Sequence, residues 1–144
     1  MEFQTLLESR RSVRSYDASK TVTREQIKEI VEAGILAPSW KNSQTARYYC
    51  VIDEAAKEKF AKECLPEFNI NSSKGAGAYV ITTFVANRSG FDREGNPDNE
   101  CGNGWGYYDL GLHNENVILK AKELGLDTLV MGIRDGKKIR EMLD

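Results

Sequence analysis

Residues 78–86, AYVITTFVA, form an almost unbroken apolar run rich in β-branched and aromatic side chains. The run is too short to cross a bilayer as a helix, and its composition reads as a strand buried on both faces. Such a strand needs helices to cover it, and the rest of the chain has the periodicity to supply them. Phe3, Leu6 and Leu7 recur at helical spacing. Thr23 followed by Gln26 reads as a capping box, after which Ile27, Ile30, Val31, Gly34 and Ile35 trace one helical face until Pro38 stops it. YYCVID, Tyr48 to Asp53, reads as a second strand, and Glu54 to Leu65 returns to helical composition. Asn87 to Gly104, with four glycines and a proline, reads as a long exposed loop. Leu110, Val117, Ile118, Ala121 and Leu124 place a long helix over Trp105 to Leu124, closed by Gly125 in the C′ position. DTLVM, Asp127 to Met131, reads as a third buried strand, and Lys137 to Leu143 as a last short helix. This order predicts an α+β fold, a single domain over residues 1–144 with a central β-sheet flanked by helices. Three strands leave a sheet edge that more chain or a second subunit must cover.

Charge restricts the partners. The chain carries 20 Lys+Arg against 22 Asp+Glu, a net charge of -2, so no broad basic field exists for a nucleic-acid backbone. No apolar run approaches the ~18 residues of a membrane helix, and the start, MEFQTLLESRR, lacks a signal peptide's order of charge then apolar core. The cytoplasm is the expected compartment, with no membrane partner. Cys50, Cys64 and Cys101 are odd in number and widely spaced, and with one histidine, His113, they make neither a disulfide framework nor a metal signature. His113 falls in the long helix and reads as a surface or packed residue, not a catalytic base.

Within this near-neutral chain, ESRRSVRSYD, Glu8 to Asp17, concentrates Arg10, Arg11 and Arg14 around Ser12. The residues alone leave two readings open: a solvated basic face, or a site for a compact local anion, which forked and permanently charged guanidinium groups suit. APSWKNSQ, Ala37 to Gln44, is a helix end broken by proline that enters a loop offering Ser39, Asn42, Ser43 and Gln44 as hydrogen-bonding groups; by itself it is equally a helix C-terminal turn. NSSK, Asn71 to Lys74, reads by itself as a polar loop. Two glycine-rich stretches are set aside. The glycines of KGAGAYV precede a strand instead of following one, and CGNGWG lacks the Lys-Ser/Thr of a phosphate-binding loop.

Taken in order, RRSVRSYD, APSWKNSQ and GYYDLGLHNENVILKAKELGLDTLVMG resemble the FMN-dependent nitroreductase family, over essentially the whole chain from Arg10 to Leu143. The resemblance implies a nitroreductase-like fold completed by dimerisation, with FMN at the interface of a homodimer. It implies that Arg10, Arg11 and Ser12 grip the FMN phosphate and ribityl chain, that Arg14 lies beside the N1/O2 edge of the flavin, and that Asn71 and Lys74 lie at its pyrimidine edge. Met131 and Gly132 match the strand end whose backbone approaches the flavin, where glycine permits close contact. Pro38, Ser39, Trp40 and Asn42 match a loop donated across a two-fold interface to the partner's FMN. The implied activity is hydride transfer from NAD(P)H through flavin N5 to an electron-poor small molecule, a nitroaromatic or quinone, in ping-pong fashion. No side chain is nominated as a catalytic acid or base. A flavin-binding store or sensor without turnover is the alternative. The chain departs from the family pattern at Thr45-Ala46, where Pro-Trp is common, which bears on how the strand entry packs. The family also continues past the position of Asp144 with a strand, a tail that embraces the partner and another basic phosphate ligand. A shortened chain and a minimal variant with weaker FMN and dimer binding both stand as expectations.

Overall fold

The computed structural model describes residues 1–143; Asp144, where the expected single domain ends, lies outside the described residues. In chain order the elements are α1 (Phe3–Ser9), α2 (Arg24–Ile35), a 3-10 turn (Trp40–Asn42), β1 (Ala46–Val51), α3 (Glu54–Cys64), α4 (Glu67–Ser72), β2 (Tyr79–Phe84), α5 (Gly104–Glu123) and α6 (Gly136–Leu143). The α+β class is as expected. Thr23 caps α2 as a full capping box, its hydroxyl accepting from Gln26 N–H while the Gln26 side chain accepts from Thr23 N–H. Gly125 ends α5 at φ +77, with Leu126 N–H donating to Ala121 C=O at 2.9 Å and Gly125 N–H to Lys122 C=O at 3.0 Å, the Schellman pattern that a left-handed glycine permits.

The sheet is smaller than expected. Among the described residues β1 and β2 form a two-stranded antiparallel sheet, registered from Ala46 opposite Phe84 to Val51 opposite Tyr79. Every residue of β2 is half-buried, not buried on both faces, because each strand of a two-stranded sheet keeps one unpaired edge. Asp127–Met131 is not a strand. Its one ladder contact is an isolated parallel bridge between Thr128 and Ser12, since the segment beside it is the short extended stretch after α1 and no longer strand is there to pair with. A further helix, α4, occupies Glu67–Ser72, so Asn71 sits in a helical turn and only Ser73 and Lys74 lie beyond its end. The long loop is exposed at its tip, but Ser89 and Gly90 near its start are buried.

Two apolar clusters hold these pieces. Ile30 of α2 packs with Val117 and Ala121 of α5, against Tyr48, Leu124 and Leu126. The helices approach closely at Gly34, where an added Cβ would lie 2.8 Å from Val117 Cγ2 and 2.9 Å from Tyr48 Oη. Burial pushes the Tyr48 phenol up to about 12. The second cluster joins Phe60 and Cys64 of α3 to Ile139 of α6, with Tyr79 and Ile81 of β2 against it. All three cysteines are free thiols. His113 is packed, 3% exposed, with Nδ1 at 2.7 Å from the Asp109 carbonyl oxygen. No helix among the described residues is long and apolar enough to cross a membrane.

Candidate functional site

The arginine stretch is built by the end of α1. Arg10 caps that helix in an extended conformation, its N–H donating to Leu6 C=O at 3.2 Å, and the chain then runs alongside the segment after α5, with Val13 N–H donating to Thr128 C=O at 3.0 Å. Arg11 folds back over the helix end: its Nη1 donates to the carbonyls of Glu8 at 2.5 Å and Arg10 at 2.7 Å, where the helix dipole favours a cation. None of Arg10, Arg11 and Arg14 is paired with a carboxylate among the described residues. In a chain with 22 acidic residues, three unpaired guanidinium groups within five positions leave their charge free for an external anion. Tyr16 closes the stretch, its hydroxyl donating to Val13 C=O at 3.0 Å. Burial raises its phenol above the ordinary range, Asp127 and Tyr79 add to the rise, and Arg14 opposes it.

Two further segments converge here. Past the Ser12–Thr128 bridge the chain reaches half-buried Met131 and exposed Gly132, around which an added Cβ would meet no atom within 4 Å. Asn69, buried in α4, donates from Nδ2 to Ile133 C=O at 2.8 Å and so pins α4 beside Gly132. Gly75, at φ +81, fits against the loop after the arginines: a Cβ there would lie 3.0 Å from the Tyr16 carbonyl oxygen and 3.3 Å from Ala18 Cβ. Contacts therefore link the arginine stretch to the segment that leads to Gly132, α4 to Ile133 and Gly75 to the loop after the arginines, with Arg11, Ser12, Arg14, Asn71, Lys74 and Gly132 exposed. A 590 Å³ concavity lies between α3, α4 and residues 18–22; it is lined by Lys74 but by none of the arginines. The arginine face itself is open. Guanidinium groups with no carboxylate partner among the described residues, a bare backbone at Gly132 and a further cation at Lys74 fit a phosphorylated planar cofactor that a further wall would enclose.

The Trp40 loop is anchored on the early part of α5. Ser39 Oγ accepts from Gln44 N–H at 2.9 Å, and the turn places Lys41, Asn42 and Gln44 at φ 48, 54 and 52, left-handed values for three non-glycine residues. Trp40 N–H donates to Asp109 Oδ2 at 3.0 Å, and its ring lies 4.5 Å from that of Trp105. Lys41 Nζ pairs with Asp98 at 2.8 Å. Asp109 stands early in α5, about 21 Å of helix axis from Glu123 near its end, after which the chain reaches Thr128, the bridge partner of Ser12. Pro38, Ser39, Trp40 and Asn42 are thus brought together with one another, and among the described residues the side-chain bonds of this loop run to Asp109 and Asp98, not to the arginines.

Sequence reasoning missed the groups that hold both places. Asn69 lies in a stretch, between Leu65 and Asn71, to which the sequence reading assigned no element. Asp109 is buried at the same spacing as His113, Val117 and Ala121, on one face of α5, and a carboxylate in register with that stripe is the signal that would have found it. Thr45, where the chain departs from the common Pro-Trp, is buried: its carbonyl accepts from Val85 N–H at 3.0 Å and its hydroxyl pairs with Ser89 Oγ at 3.3 Å.

The model of the nitroreductase family matches residues 7–144. YdgI of Bacillus subtilis, named as a candidate NAD(P)H nitroreductase, is 35% identical over 84 residues, covering 58% of this chain and 39% of that protein. MhqN of the same organism, named likewise, is 33% identical over 72 residues, covering 50% and 35%. The chain spans less than half the length of these curated relatives. Among solved structures, a candidate nitroreductase of Exiguobacterium sibiricum in complex with FMN superposes at a TM-score of 0.78, with 23% identity, over 99% of this chain and 80% of that one. A nitroreductase family protein of Clostridium novyi gives 0.77 at 18% identity, over 98% and 75%. At these identities the structures share the fold.

Proposed function

The chain belongs to the nitroreductase family, and on that footing we propose that it is an FMN-dependent oxidoreductase moving hydride from NAD(P)H to an electron-poor acceptor such as a nitroaromatic or quinone. The observation that carries this is that Arg10, Arg11 and Arg14 have no carboxylate partner among the described residues while the Ser12–Thr128 bridge joins their stretch to the segment that leads to Gly132. FMN supplies the two-electron chemistry at its N5 when bound, and the protein supplies position, charge and access. Arg10, Arg11 and Ser12 hold the phosphate and ribityl chain, and Arg14 offers a fixed positive charge to the N1/O2 edge. Asn71 and Lys74 hydrogen-bond the pyrimidine edge, and Met131 and Gly132 offer backbone at close range. The missing wall is a second copy of the chain, a homodimer in which Pro38, Ser39, Trp40 and Asn42 serve the partner's flavin. The anchoring of that loop on Asp109 instead of on its own arginines supports this, as do exposed Ile35 and Leu36 at the end of α2 and Tyr107 and Tyr108 on α5. The enzyme reads as cytoplasmic.

Arg14 makes the reading testable. Reduction places negative charge along the flavin's N1/O2 edge, and a guanidinium there favours the reduced state. Arg14→Gln keeps a donor and removes the charge, so it should lower the two-electron midpoint potential and slow NAD(P)H oxidation with a nitroaromatic acceptor more than it weakens FMN. A dye-coupled reductive titration and steady-state rates, with FMN saturating, check this. An unchanged or raised potential would remove Arg14 from that edge. A wild-type protein that binds FMN yet shows no turnover would favour the store or sensor.

A further inference from the structure

The Trp40 loop holds three residues in a backbone conformation that non-glycine side chains disfavour, Lys41, Asn42 and Gln44. Something must hold it there, and the contacts converge on one carboxylate. Asp109 Oδ2 accepts from the Trp40 backbone N–H at 3.0 Å and from Ser89 Oγ at 2.6 Å, while the Ser89 hydroxyl oxygen lies 3.3 Å from Thr45 Oγ1. Asp109 is 3% exposed, Ser89 1% and Thr45 2%. The network therefore ties the start of the loop (Trp40), its exit into β1 (Thr45) and the first turn of the long loop (Ser89) to a single position on α5. A buried carboxylate with hydrogen-bonded partners is costly to disturb, because removing one partner leaves polar groups unsatisfied. The outer end of the loop is held separately, by the Lys41–Asp98 pair at the surface, which is worth little by comparison. Trp40 Nε1 is buried without a partner, so the indole is seated by packing on Trp105 and by its backbone bond to Asp109, not by a side-chain hydrogen bond of its own.

We infer that Asp109 is a positioning residue for the loop that completes the partner's flavin site, acting through Trp40 N–H and through Ser89 and Thr45 without touching the flavin. This rests on the dimeric flavoprotein reading above. It also gives the base of the Asn87–Gly104 loop a role: Ser89 is the strut by which that loop supports the donated one.

The test compares Asp109→Asn, which keeps an acceptor but no charge, with Asp109→Ala, and adds Ser89→Ala as a milder change at the same node. Near-ultraviolet circular dichroism of the flavin-free protein reports the Trp40–Trp105 pair directly. FMN titration and separate kcat and KM values report the site. The expected order of FMN affinity is wild type, then Ser89→Ala, then Asp109→Asn, then Asp109→Ala, with at least ~10-fold lost at Asp109→Asn, the scale of one hydrogen bond to a charged group. The tryptophan signal should collapse in parallel, and the rise in KM should exceed the fall in kcat, as expected when a wall of the site is loosened but the hydride path is kept. An Asp109→Asn protein with an unchanged tryptophan signal, or a lost signal with unchanged FMN affinity, overturns the inference and leaves the family reading standing. A wild-type protein that does not bind FMN overturns the reading under it. Should Asp109→Ala not fold, Asp109→Asn and Ser89→Ala decide the matter between them.

Discussion

Arg10→Ala should weaken FMN binding by about 1.5–3 kcal/mol, roughly 10- to 150-fold in Kd, the scale of a hydrogen bond to a charged group. Arg10 is the informative choice among the three. Arg11 already spends its Nη1 on the carbonyls that end α1, so its removal mixes a helix-end effect with any loss of ligand. Arg10 is half-buried, and its own N–H is satisfied by Leu6 C=O, a bond that alanine keeps. The fold should therefore be nearly undisturbed while the anion loses one forked donor. Arg24→Ala, in the exposed first turn of α2, is the control and should leave FMN affinity as it was. Fluorescence-quenching titrations of the two variants measure this, and equal affinities would take Arg10 out of the site.

The largest effect on stability is expected at Phe60. Its ring is 4% exposed, packs on Cys64 and Ile139, and lies 5.0 Å from the Tyr79 ring. It joins α3 to β2 and to α6, and Asp135 N–H donating to Cys64 C=O at 2.8 Å carries that packing to the turn that follows Gly132. Phe60→Ala should cost about 3–5 kcal/mol from lost burial and the cavity left behind. That is a large part of the ~5–15 kcal/mol a domain of this kind possesses. Phe68→Ala on α4, 54% exposed, should fall within about 0.5 kcal/mol of wild type. Urea unfolding compares them; a loss below about 1 kcal/mol at Phe60 would mean that the α3–α6 cluster is not a cooperative part of the core.

What could be read from the residues follows from how local each determinant is. α2 was legible because its start is written in Thr23 and Gln26 and its face in the spacing of Ile27, Ile30 and Gly34. The end of α5 was legible because only a left-handed residue closes a helix as Gly125 does. Asp127–Met131 misled because an apolar, β-branched run is necessary for a strand but not sufficient. A strand also needs a neighbour to pair with, and here the neighbour is a few residues around Ser12. α4 was missed because Asn, Ser and Pro around it favour turns locally, and the packing that fixes it, Asn69 on Ile133 C=O, joins positions far apart in sequence. The arginine face was visible as composition, but what makes it a face is the bridge from Ser12 to Thr128 and the fit of Gly75 against Tyr16. No local pattern encodes those. Nor could any pattern have said that the Trp40 loop is tied to Asp109, early in α5.

The central claim is that the arginine face exists to hold the phosphate of FMN. The direct measurement is a parallel titration of the flavin-free protein with FMN and with riboflavin, which differ in that phosphate alone, repeated for Arg10→Ala. The account predicts FMN tighter than riboflavin by at least ~100-fold, since more than one charge-assisted hydrogen bond is at stake, and a preference reduced at least ~10-fold by Arg10→Ala through weaker FMN binding with riboflavin unaffected. Equal affinities for the two flavins in the wild-type protein would contradict it.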